Sequence, residues 1–110
     1  MAKEWYSVKG LFRWYMKADG TTDRIEERVV LFEAESFEHA LDLAELEAAQ
    51  YCANDEQANY CIEPTGWWHA YWLGAAPASG IEVFSRSART ELSSQAFIRR
   101  YYPKSHNAGT

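Results

Sequence analysis

Long apolar runs are missing from this chain, and none approaches the roughly twenty residues with which a helix crosses a bilayer. Cysteine is scarce too. Cys52 and Cys61 are the only two, which excludes a disulfide framework, and the N-terminus lacks a basic-then-apolar leader pattern. A cytoplasmic protein with free thiols is expected. Lys and Arg are absent from Glu33 to Glu56, a stretch that holds eight carboxylates. The first 55 residues carry 12 acidic and 6 basic side chains, the last 55 carry 4 and 5, and the formal net charge is −5. A field of that sign repels phosphate backbones and anionic membranes, so neither nucleic acid nor membrane is an expected partner.

Groups that carry chemistry are few. His39, His69 and His106 join the two thiols as the available soft ligands or nucleophile partners, but no two cysteines stand two to four residues apart, as zinc sites need. A Cys61–His69 dyad requires the chain to fold back at Pro64-Thr65-Gly66, and neither an orienting base nor an oxyanion hole accompanies it. Glu26, Glu27, Glu33 and Glu35 are explained by solvated strand polarity. Arg86, Arg89, Arg99 and Arg100, with Tyr101, Tyr102 and Lys104, form a weak anion-site pattern without a glycine-rich loop. No catalytic residue, metal or cofactor is expected.

Aromatic residues, by contrast, are abundant: 15% of the chain, with five Trp, seven Tyr and five Phe. Tyr6 to Lys17 alternates apolar and polar positions over a dozen residues, the period of a half-buried strand. On that pattern Trp14 belongs to the core with Phe12 and Met16, while Ser7 faces out and tolerates alanine. Ala18 to Asp23 is turn chemistry. A second strand follows from about Arg24 to Ala34. Its centre, Val29-Val30-Leu31-Phe32, is apolar on both faces, which calls for cover on both sides or a bulge.

Ser36 is a candidate N-cap for an acidic helix that ends near Ala53-Asn54. Phe37, Ala40, Leu41, Ala44, Ala48, Tyr51 and Cys52 share its apolar stripe, whereas Leu43 and Leu46 lie off it. A third strand spans about Tyr60 to Leu73 and breaks near Pro64-Gly66. Ile81 to Arg86 alternates again as a fourth. Ser93 then caps a short helix that stops before Pro103. The fold expected is α+β: β-β-α-β-β-α, with a four-stranded antiparallel sheet in the order 2-1-3-4. The long helix covers one face. Residues 1–103 form one domain and 104–110 a frayed tail.

Trp67-Trp68-His69-Ala70-Tyr71-Trp72 is the most informative stretch. Strand geometry puts Trp67, His69 and Tyr71 on one face and Trp68, Ala70 and Trp72 on the other. One set is core and the other lies on the sheet face away from the long helix. Trp68 and Trp72 are the exposed pair if the parity is reversed; the set expected on that face is Trp67, His69 and Tyr71, with Trp5 and Tyr15 beside them. There it packs under the C-terminal helix or forms an exposed binding patch. Glu38, Asp42 and Glu45 on the acidic helix are solvated charge or a steering surface for a basic partner. Part of the helix charge is expected to be answered by Arg86, Arg89, Arg99 and Arg100.

Trp5 to Lys9, Glu27 to Phe37 and Glu82 to Arg86, in that order, resemble domain of unknown function 4288, a family of small bacterial proteins of about this length. The resemblance implies a bacterial origin and a compact stand-alone domain over nearly the whole chain, and brings no catalytic residues with it. Small bacterial domains of this kind are often adaptors or immunity-type inhibitors of toxins. The leading expectation is a non-enzymatic protein-binding module, partnered by another protein or by itself as a homodimer. The alternative is a small-ligand or sensing domain whose pocket lies between the Trp67–Trp72 strand and Tyr101-Tyr102. A small enzyme comes third.

Overall fold

The alternating stretch Glu4–Met16 forms the central strand, β1. The structure, a computed structural model, describes residues 2–22, 24–85, 87 and 89–102. Arg86, Lys104, His106 and the expected tail fall outside the described residues. At the end of β1, Gly20 takes the left-handed conformation (φ 71°) and donates its N–H to the Met16 carbonyl at 2.8 Å. The chain returns as β2, Arg24–Ala34, antiparallel to β1 and in unbroken register from Glu4↔Ala34 to Trp14↔Arg24. No bulge shifts the pattern there. Val30 and Phe32 therefore share the face of Tyr6 and Val8, and Val29 and Leu31 point the other way.

Helix α1, Phe37–Tyr51, begins where the Ser36 hydroxyl accepts the His39 N–H at 3.0 Å. Ala40, Ala44 and Ala48, one per turn, are its buried residues, and their small side chains bring the helix close onto the sheet. Tyr6, Val8, Ala34, Ala40 and Ala44 make the core, with Phe32, Leu41, Leu43, Trp68 and Ala70 packed against it. Leu43 is thus part of the packing, whereas Leu46 is exposed. Phe12 is edge-on to Tyr51 and Trp68, with ring centroids at 5.5 and 5.9 Å. The charge of α1 is answered from β2: Arg28 donates to both Glu47 oxygens at 3.0 and 2.9 Å and lies over the Tyr51 ring. Among the described residues, Arg89, Arg99 and Arg100 make no ion pair with it.

β3, Tyr60–Trp72, pairs antiparallel with the other edge of β1. The register jumps from Gly10↔Trp68 to Phe12↔Pro64, so β3 bulges through Thr65-Gly66-Trp67. Gly66 (φ 86°) makes the bulge possible, and the Thr65 hydroxyl donates to the Leu11 carbonyl at 2.9 Å. The strand bends there but does not fold back. Cys61 stays opposite Tyr15 and His69 opposite Lys9, so the fold-back that a Cys61–His69 dyad requires does not occur.

The expected four-stranded sheet in the order 2-1-3-4 does not form. The sheet has three antiparallel strands, β2-β1-β3. Gly74 (φ 78°) and Gly80 (φ 86°) turn the chain through the loop containing Pro77, and it then crosses the sheet face opposite α1. There the Ser7 hydroxyl donates to the Val83 carbonyl. A strap that touches a face on alternate residues has the same period as a strand, and Phe84 packs on that face against His69 and Tyr71. Helix α2, Ser94–Tyr101, is capped by Ser93, whose hydroxyl accepts the Ala96 N–H at 3.2 Å. None of its residues comes within 8 Å, Cα to Cα, of the sheet or of α1. Among the described residues no helix is long and apolar enough to cross a membrane.

Candidate protein-binding face

The face opposite α1 is written as three cross-strand rows. The unbroken β1–β2 register sets Glu33, Leu31, Val29, Glu27 and Ile25 of β2 beside Trp5, Ser7, Lys9, Leu11 and Arg13 of β1. On the other side of β1, Tyr71 lies opposite Ser7 and His69 opposite Lys9, while Trp67 stands on the bulge near Leu11. Trp67, His69 and Tyr71 share this face. Trp68 packs inward against Phe12 and Gly10.

The strap Ile81–Ser85 divides the face. Ser7, beneath it, is fully buried, so the outward, substitution-tolerant position expected for it is corrected. Phe84 sits 5.4 Å from His69 and 6.3 Å from Tyr71, ring to ring, with the Lys9 ammonium 4.8 Å from its own ring centre. Lys9 also pairs with Glu27 at 2.9 Å. The Tyr71 hydroxyl donates to Glu82, and that bond raises the phenol above its ordinary pKa because ionisation would face a carboxylate. Half of the expected aromatic patch is thereby covered by the chain itself.

What stays open is the margin. Trp67 is 40% exposed and stacked on His69 at 6.4 Å. Across β1, Ile25, Val29 and Leu31 are exposed to 50%, 44% and 37%. None of the three was named as a candidate from the sequence, although the two-sided apolar run at Val29–Phe32 was a signal for Val29 and Leu31. Trp5 is half-buried at the Tyr71 end, its carbonyl accepting the Leu73 N–H at 2.9 Å. Tyr15, ten residues further along β1 and so about 33 Å from Trp5, stands opposite Cys61 on the far side of the bulge from Trp67. Glu38, Asp42 and Glu45 are exposed on α1, across the sheet from this face.

A second concavity lies where α1 ends. A cavity of about 320 Å³ is lined by Trp14, Tyr51, Tyr60, Asp55 and both cysteines, and a neighbour of about 240 Å³ shares Trp14 and Tyr60. Trp14 is half-buried rather than core. Its indole N–H donates to Glu26 at 3.3 Å, Tyr60 lies 4.6 Å from it, and Arg24 covers the ring. The Tyr51 hydroxyl donates to the same Glu26 oxygen at 2.6 Å. Burial first, then that carboxylate, pushes the Tyr51 phenol up to about 12. Burial likewise raises the Cys52 thiol, which disfavours the thiolate a nucleophile requires. No residue of α2 comes within 8 Å, Cα to Cα, of β3, the strand expected to form a ligand pocket with Tyr101-Tyr102.

Residues 5–67 match the family model described as domain of unknown function (DUF4288). The chain belongs to this family. The DUF4288 match covers β1 from Trp5, all of β2 and α1, and β3 as far as Trp67. It therefore includes the open β2 row and stops short of His69, Tyr71, the strap and α2, a shorter span than the whole-chain likeness expected. No curated protein and no solved structure matches the chain.

Proposed function

We propose that this DUF4288 member is a non-enzymatic binding module that engages a protein partner through the sheet face opposite α1, as an adaptor or an immunity-type inhibitor would. The observation that carries the reading is the exposed row Ile25, Val29 and Leu31 on β2. Apolar side chains on an open sheet face usually mark an interaction surface, and large aromatics such as Trp67 supply hot spots. The carboxylates Glu38, Asp42 and Glu45 on the other side act on encounter rate through their field.

A photo-reactive phenylalanine at Leu31 tests the reading in intact cells. The expected result is a covalent adduct with a protein, and none from the same group at Gln50 on α1. Absence of any adduct from Leu31 and from a Trp67 replacement overturns it.

A second reading, a small-ligand domain, is favoured by the 320 Å³ cavity, which is of the size of small-molecule sites. Its mark is a fragment whose line broadening in ligand-observed NMR disappears with Trp14→Leu and survives Leu31→Glu.

A further inference from the structure

We infer that the partner of this face is a second copy of the chain, whose helix α2 lies across the exposed β2 row. The inference rests on the reading that the face binds protein, and names the occupant.

Among the described residues two exposed apolar surfaces lack a partner, and they match. The first is α2. At 100° per residue, Phe97, Ile98 and Tyr101 fall on one stripe, with Gln95, Arg99 and Arg100 behind it. Ile98 and Tyr101 are exposed, and nothing from the sheet or α1 approaches them. A helix of eight residues is about 12 Å long and is marginal in water by itself, since isolated helices shorter than about 12–15 residues rarely persist. Packing of the apolar stripe is what would hold it.

The second surface is the β2 row, where Ile25, Val29 and Leu31 alternate with Glu27 and Glu33. Successive residues of one strand face stand about 6.7 Å apart, so Val29 and Leu31 present an apolar step that the stripe Phe97-Ile98-Tyr101 can straddle. Charge favours the same match. Arg99 and Arg100 make no ion pair among the described residues, and neither does the exposed Glu33. The basic helix also comes from the half of the chain with a small positive balance, and the row from the half that carries six surplus acids. Each copy has one α2 and one open row, so a reciprocal exchange would close as a two-fold dimer with two identical contacts.

Sedimentation equilibrium of the full chain over a concentration series tests this. The expected result is a dimer whose dissociation constant rises at least tenfold with Ile98→Glu and with Leu31→Glu. Both side chains are exposed, so circular dichroism should show each variant folded. Mixing the two variants should restore association in part, because the intact α2 of the Leu31→Glu copy meets the intact row of the Ile98→Glu copy at one of the two contacts while the other stays broken. A dimer indifferent to Ile98→Glu overturns the inference, as does a strict monomer at high micromolar concentration. In either case a Leu31 photo-adduct with a different protein would leave the binding-face reading standing, whereas the lack of any adduct would remove both.

Discussion

Gly10 is the residue on which the core geometry turns. A Cβ built there would meet two atoms of the Trp68 ring at 2.5 and 2.9 Å and the Phe12 ring at 3.0 Å. Glycine is needed for that close approach, with the indole covering the gap it leaves in the strand. Gly10→Ala should cost about 1–3 kcal/mol through overpacking, read by urea denaturation, and Trp68→Leu should recover part of it. A Gly10→Ala protein as stable as the parent would contradict this packing. Gly10 was legible only as an apolar position in an alternating strand; nothing local says that an indole 58 residues later lies on it. Ser7 failed for the same reason. Period two puts it outward, as found, but not that a strap would bury it and accept its hydroxyl proton. Trp14 was placed on the right face, yet at the strand end Arg24, Tyr60 and Glu26 hold it half in water.

At the scale of elements, the strands and helices whose period is strong and whose caps are local were legible. β1, the Asp19-Gly20 turn, the Ser36 and Ser93 caps and the bend at Pro64-Gly66 all follow from nearest-neighbour chemistry. The strap did not, because alternation in Ile81–Ser85 reports two-sided contact without saying whether the neighbour is an edge or a face. Its hold is specific: Phe84 against His69, Tyr71 and Lys9, and Val83 on Ser7. Each aromatic contact is worth roughly 0.5–1.5 kcal/mol beyond burial. Phe84→Ala should therefore speed limited proteolysis within residues 81–85 by about ten- to thirtyfold. Cleavage in β1 and α1 should change far less. Unaltered cleavage in the strap would mean that Phe84 does not fasten it.

For the whole molecule, the Cα radius of gyration of 16.7 Å exceeds the roughly 13 Å of a compact domain near this size. α2 makes no Cα approach within 8 Å to the sheet or to α1. The sheet face opposite α1 is consequently half covered by the chain itself and half open, with Trp67 on one margin and Ile25, Val29 and Leu31 on the other. Sequence pattern located Trp67, His69 and Tyr71 on this face; it did not reveal that Phe84 occupies the middle, which moves the open apolar area to β2. Once a Leu31 adduct identifies a partner other than a second copy, titration calorimetry tests the binding-face account most directly. Trp67→Ala and Leu31→Ala should each leave the fold intact, since both residues are exposed. Trp67→Ala should weaken binding by more than about 2 kcal/mol, near thirtyfold, whereas Glu45→Ala should alter chiefly the association rate and its salt dependence. Folded Trp67→Ala and Leu31→Ala proteins that bind with the parent's affinity would contradict the account.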